Sequence, residues 1–420
     1  MLTKKKHPMS SECKREDKTC ESDSSLKLSI EFEVGKALVL RPNQIVRGAI
    51  ILKISETDRT IWASTIKIKF RADETATSNL MSCSARTTYF ECSSTVWSGN
   101  IGGRVNEYCP WKELTPGAYR FDFALKLPAV NFPPSIEGPK GFSIRYVWQP
   151  VIEGAGGTLT EGPEVVTPFI PIYFAPPDQE WTYKETLRNE NKILMHVEAI
   201  LPKHVFAPGE EFNFTLHITN HSAGRITYTQ CSLRKHYEGP LDKDIICDKH
   251  ERSLASTEGR CDIPAMQRLQ TGKIEFSLTI PKKHHHVPPT FTGRHLRVYY
   301  TLRCVIQVES GKFITNMQFY EVTIPISVAS FPHLKGLVNS FPPYSESHVK
   351  PYFFDPKEDF PPDHAEGTKS PYSALLSQFD TFCDGFDLDP YSYYYSDNNS
   401  SLNNDSLIEN TRFVTIPNNI

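Results

Sequence analysis

VLRPNQIVRGAIIL, from Val39 to Leu52, and VFAPGEEFNFTLHI, from Val205 to Ile218, are one pattern written twice. An apolar start, a proline (Pro42, Pro208), a Gln or Glu (Gln44, Glu210) and an apolar run recur at a constant offset of 166 residues. A second block repeats in the same order. LTPGAYRFDFALKL (Leu114–Leu127) followed by Pro128 is matched by LQTGKIEFSLTI (Leu269–Ile280) followed by Pro281. Pro133-Pro134-Ser135 is answered by Pro288-Pro289-Thr290. Tyr146 with Val151-Ile152 is answered by Tyr300 with Val305-Ile306. In each copy a proline turn precedes one strand, and a glycine opens another that a proline closes. Chance rarely preserves such an order.

Outward from these blocks, the chain reads as strand from Leu26 to about Ser330. Ile30, Phe32 and Val34 alternate with polar neighbours, as do Ile66, Ile68 and Phe70, then Tyr119, Phe121, Phe123 and Leu125. Phe212, Phe214, Leu216 and Ile218 do the same, followed by Ile274, Phe276, Leu278 and Ile280. Such alternation puts one face in a core and the other in water, the habit of antiparallel sandwiches. No window shows a capped helical period. The 32 prolines among 420 residues agree, because an interior proline breaks a helix. The expectation is an all-β chain of two tandem immunoglobulin-like antiparallel β-sandwiches, at residues 26–174 and 191–330. They flank a short connector at 175–190 and follow a disordered arm at 1–25.

Past Ser330 the pattern fails. Residues 340–420 hold 13 acidic against 4 basic side chains, so the overall charge of −3 divides into +6 for the body and −9 for this tail. A disordered acidic tail over 331–420 is expected from that composition. Its aromatics, Phe341, Tyr344, Tyr352, Phe353, Phe354 and Phe379 among them, read either as short docking motifs or as groups that pack on the body.

VLRPNQIVRGAIIL, LTPGAYRFDFALKLPAVNFPPSIEG with FSIRYVWQPVIEG, and LPKHVFAPGEEFNFTLHITN resemble the two lobes of arrestin-domain proteins, above all the α-arrestins of fungal type. The resemblance covers about residues 26–330. It implies the arrestin fold, and an adaptor that brings a WW-domain HECT ubiquitin ligase to the cytoplasmic regions of membrane transporters or receptors, promoting their ubiquitination and endocytosis. A WW domain seats prolines in polyproline II form and takes a following tyrosine in its own pocket. The family motif is Pro-Pro-any-Tyr. Phe341-Pro342-Pro343-Tyr344 is the nearest match, with Phe in place of the first proline. Phe382-Cys383-Asp384-Gly385-Phe386 is similar to peptides that dock on clathrin adaptors, with Phe382, Asp384 and Phe386 as the contacts. Acidic phospholipids are further candidate partners for the mildly basic body. A cytoplasmic protein recruited peripherally to plasma membrane and endosomes is implied.

Enzymatic chemistry finds no support. No nucleophile elbow, zinc-protease helix or P-loop lysine pattern occurs. Gly154-Ala155-Gly156-Gly157 leads into no helix that could hold a phosphate. Adjacent His284, His285 and His286 alternate in direction on an extended segment and cannot share one ion. The ten cysteines show no close pairs, so neither a metal nor a cofactor is expected. Nucleic-acid binding is disfavoured by dispersed loop basics such as Arg234, Lys235, Lys282 and Lys283. No apolar run is long enough to span a bilayer, and the Lys- and Ser-rich first 25 residues carry no apolar signal core. A retromer-like sorting scaffold without ligase recruitment remains as the alternative, and a DNA-binding sandwich protein as a second.

Overall fold

A computed structural model describes residues 26–55, 61–78, 83–99, 111–154, 159–190, 192–242, 245–265, 271–282, 287–309, 317–334 and 341–358. In the first lobe, strands β1 (Leu26–Phe32), β2 (Ile45–Ile54), β3 (Ile61–Ser78), β4 (Cys83–Ser98), β5 (Lys112–Leu114), β6 (Gly117–Lys126), β7 (Ile136–Glu137), β8 (Ser143–Gly154), β9 (Leu159–Glu161) and β10 (Val165–Thr167) follow one another. The second lobe holds β11 (Trp181–Asn189), β12 (Lys192–Leu201), β13 (Val205–Phe206), β14 (Glu211–Asn220), β15 (Arg225–Asp242), β16 (Ile245–Ile263), β17 (Gly272–Thr279), β18 (Phe291–Thr292), β19 (Arg297–Glu309) and β20 (Met317–Val328). A last strand, β21 (Tyr352–Phe354), returns to the first lobe. Each lobe is two sheets face to face. They run β1-β2-β6-β21 against β10-β8-β3-β4, and β11-β12-β14-β17 against β13-β20-β19-β15-β16.

The alternating residues form the cores. Phe212, Phe214, Leu216 and Ile218 point inward from β14, and Ile274, Phe276 and Leu278 meet them from β17. Phe70 stacks on Trp148 at 4.1 Å in the first core, and Phe206 on Phe212 at 4.0 Å in the second. Val34 departs from the expected strand. β1 stops at Phe32, and Val34 stands exposed in the turn beyond. Cys231 and Cys304 face each other across β15 and β19 as buried free thiols.

The repeat is a repeat of hydrogen bonds. Gln44 Oε1 accepts from the Arg41 amide at 2.9 Å, and Glu210 Oε2 accepts from the Ala207 amide at 2.8 Å. Asn43 and Gly209, at the matching turn positions, adopt φ of 60° and 85°, which Asn and Gly tolerate best. The Tyr146 hydroxyl donates to the Pro133 carbonyl at 2.6 Å, and the Tyr300 hydroxyl to Pro288 at 2.5 Å. Ser135 Oγ takes the Phe169 amide, and Thr290 Oγ1 the Val328 amide, both at 2.8 Å. Buried phenols and hydroxyls need such partners, which explains why these residue types recur after each diproline.

Two boundaries differ from expectation. The connector is shorter than 175–190, because Trp181–Asn189 is the first strand of the second lobe, paired along β12 from Trp181 opposite Leu201 to Asn189 opposite Lys192. The tail expected to be disordered from 331 instead begins as structure. Phe331 is buried, accepts from the Ala175 amide and donates to the Tyr173 carbonyl, and residues 341–358 lie on the first lobe. In both places the aromatic residues supply enough apolar area to order a polar segment.

Candidate functional site

The expected ligase contact lies where the two lobes and the returning chain meet. Asn131 organises it. Its side-chain amide donates to the carbonyls of Ile172 (3.0 Å) and Phe341 (2.9 Å), and its Oδ1 accepts from the Ile172 amide at 2.7 Å. Its backbone N–H donates to Pro342 at 2.8 Å, and its carbonyl accepts from Tyr344 at 2.9 Å. One buried asparagine thus ties the end of the first lobe to the returning chain. Its hydrogen-bonding capacity is nearly filled, as burial demands.

Phe341 is only 1% exposed, while Pro342 and Pro343 face solvent. Tyr344 is half-buried. Its ring tilts over Phe132 at 5.0 Å and meets Tyr89 edge-on at 5.8 Å, and its hydroxyl donates to the Tyr89 carbonyl at 3.0 Å. The four residues are therefore together, as sequence proximity requires, but they do not form a free peptide. Farther along, β21 pairs with the edge of β6, Tyr352 opposite Lys126 and Phe354 opposite Ala124. Phe353 meets Phe123 and Trp148 at 6.3 and 6.4 Å. The Arg47 guanidinium donates to the carbonyls of Pro356 (2.8 Å) and Glu358 (2.6 Å) and covers the Phe354 ring. Phe382, Asp384 and Phe386 lie outside the described residues, as do His284 to His286, Ala155 to Gly157 and the arm at 1–25.

Across the seam stands Glu74, fully buried on β3. Oε1 accepts the amides of His295 and Leu296, both at 2.8 Å, and Oε2 accepts the Arg294 amide at 3.1 Å and the Tyr89 hydroxyl. A side chain of the first lobe is thereby caged by a loop of the second. A Cβ on Gly293 would come within 2.5 Å of Glu74 Oε1, so the cage requires glycine there. Burial, then the charge and hydrogen bond of Glu74, push the Tyr89 phenol up from its ordinary pKa. Arg294 closes the circuit with an ion pair to Glu346 of the returning chain. Thr87 with His295 (2.6 Å) and the Phe142 ring against His250 (5.4 Å) add to the lobe contact. An open pocket of about 420 Å³ at the seam is lined by Tyr89, Asn131, Arg294, Tyr344 and Glu346 among others.

At the end of β6, Lys126 is held by the Asn43 carbonyl at 2.6 Å, and burial lowers its pKa to about 8. Glu74, Tyr89, Asn131 and Arg294 were not among the expected site residues. One signal was present for Glu74: an acid on the same parity as Ile66, Ile68, Phe70 and Ala72 of β3 must face inward. Among the described residues no cluster of His, Cys, Asp and Glu suited to a metal occurs.

Fold and seam define a two-lobed β-sandwich protein with a shared polar joint. Residues 192–333 match the family model for the arrestin (or S-antigen) C-terminal domain. That match spans the second lobe from β12 onward, about a third of the chain. No curated protein matches the chain.

Proposed function

We propose that this chain is an arrestin-type adaptor linking a WW-domain HECT ubiquitin ligase to plasma-membrane transporters or receptors. The observation that carries the reading is the arrestin match over one lobe, whose turn chemistry the other lobe repeats bond for bond. Phe341 to Tyr344 is the ligase contact in this reading, supported by two prolines that already face solvent. The protein would work in the cytoplasm, recruited to plasma membrane and endosomes, with clathrin adaptors and acidic phospholipids as further partners. The test is binding of a peptide of residues 338–348 to isolated WW domains, with Tyr344→Ala as control. Binding that the substitution abolishes supports the reading; equal, negligible binding by both sinks it. One observation favours a second reading, a retromer-like sorting scaffold: Tyr344 is spent on the fold. That protein would co-purify with a coat complex and no ligase.

A further inference from the structure

We infer that Cys231 and Cys304 are an oxidation site, closed to an internal disulfide by a low-molecular-weight disulfide while the second lobe is open, and sealed from reductants once the lobe folds. The two residues stand directly opposite each other on β15 and β19. Opposed residues of an antiparallel pair keep their Cα atoms about 4.5–5.5 Å apart, inside the ~4.4–6.8 Å that a disulfide spans. The two sulfurs are 2.9 Å apart, so about 0.9 Å of closure brings them to bonding distance. No strand has to change register to make the bond.

Core packing alone does not ask for sulfur at this place. In the first lobe Tyr146 lies opposite Ala72 and, four residues on, Pro150 lies opposite Ile68, both buried. In the second, Tyr300 lies opposite Lys235 and, four residues on, Cys304 lies opposite Cys231. One inward position is thus filled by an apolar pair in one lobe and by two thiols in the other. Cys92 and Cys261 are placed differently: each is half-buried and donates to a backbone carbonyl, of Phe70 at 3.6 Å and of Ile226 at 3.8 Å.

The fold decides when the reaction runs. Both thiols are fully buried, on strands that have a neighbour on either side, β16 and β19 for β15, β15 and β20 for β19. Burial, with the Cys304 thiol beside it, pushes the Cys231 thiol well above its ordinary pKa. The thiolate is the attacking species, and no oxidant reaches it while the two sheets are closed. When the lobe opens, one thiolate attacks the oxidant's disulfide and expels a small thiolate. The second cysteine then displaces the other small thiolate from the mixed disulfide. One Sγ–Sγ bond forms, the two S–H protons pass to the leaving thiolates, and the oxidant is reduced to two thiols. Closure of the lobe shuts out the thiols that would reverse the exchange, so the pair records oxidising conditions met during synthesis or unfolding.

The test is to refold the full chain from urea with glutathione disulfide or with dithiothreitol, and to analyse unreduced digests by mass spectrometry. A linked peptide containing Cys231 and Cys304, lighter by two hydrogens, is expected with glutathione disulfide alone, and Cys304→Ala should lose it. Added to the folded chain, the same oxidant should make the link at least about tenfold more slowly, since the lobe must first open. Dithiothreitol should likewise reduce the link at least about tenfold more slowly in the folded chain than in urea. A refolded chain without the link overturns the site. A link made or reduced as fast in the folded chain as in the open one overturns the seal.

Discussion

The two sandwiches share their turns but not the way they complete their smaller sheets. Three strands of each are the repeated ones, β1-β2-β6 and β12-β14-β17. The first lobe takes its fourth strand, β21, from the chain beyond both lobes and adds it to the β6 side. The second takes β11 from the segment between lobes and adds it to the opposite side, on β12. Each repeat unit is thus a three-stranded face finished by a piece outside the repeat. The difference lies in distance: β11 joins its immediate neighbour, whereas β21 crosses back over an entire lobe.

The sharpest way to break this comparison is to end the chain at residue 340. If the segment beyond were an appendage, stability would not change. With Phe341 buried and Phe353 packed on Trp148, urea unfolding should show a loss of about 4 kcal/mol, confined to the transition of the first lobe. Next comes Glu74→Ala, which strands three amides and a phenol. About 3 kcal/mol is expected, with a seam that exchanges faster around residues 293–296. An unchanged stability would mean the cage does not couple the lobes.

Tyr146→Phe and Tyr300→Phe then probe the equivalence itself. Each leaves a buried proline carbonyl unpaired, at a cost of about 1.5 kcal/mol. Values differing by more than about 1 kcal/mol would separate the two sites. The smallest effect concerns Lys126, whose pKa falls from 10.5 to about 8 on folding. Between those values the folded protein binds fewer protons than the unfolded one, so stability should rise with pH over that interval. Lys126→Met should be more stable at pH 7 and should lose that alkaline rise in thermal melts.

Much of this was legible in the residues. Parity placed the core, and Pro42 with Gln44, Pro208 with Glu210, and the two diprolines marked turns whose hydrogen bonds now match in both lobes. β11 reads as connector, although Trp181, Tyr183 and Leu187 fall on one parity. The intervening Lys, Glu and Thr gave it the look of a polar connector. β21 was not legible as a strand. Tyr-Phe-Phe is three residues long, and only its place opposite Lys126 to Ala124 makes it one. Tyr344 shows the same limit, since a tyrosine after two prolines reads alike whether it fits a partner's pocket or its own. The choice depends on Phe132 and Tyr89, more than 200 residues away in the chain.

That separation sets a schedule during synthesis. The Asn131 amide cannot bond Phe341, nor can β6 receive β21, until the ribosome has passed the whole second lobe. At about 5–20 residues per second, the outer edge of β6 stays unpaired for roughly 10–45 seconds after it emerges. An open strand edge is a template for other chains. The first lobe is therefore born with a side that chaperones or neighbouring copies can reach, and a strand made more than 200 residues later is the one that closes it.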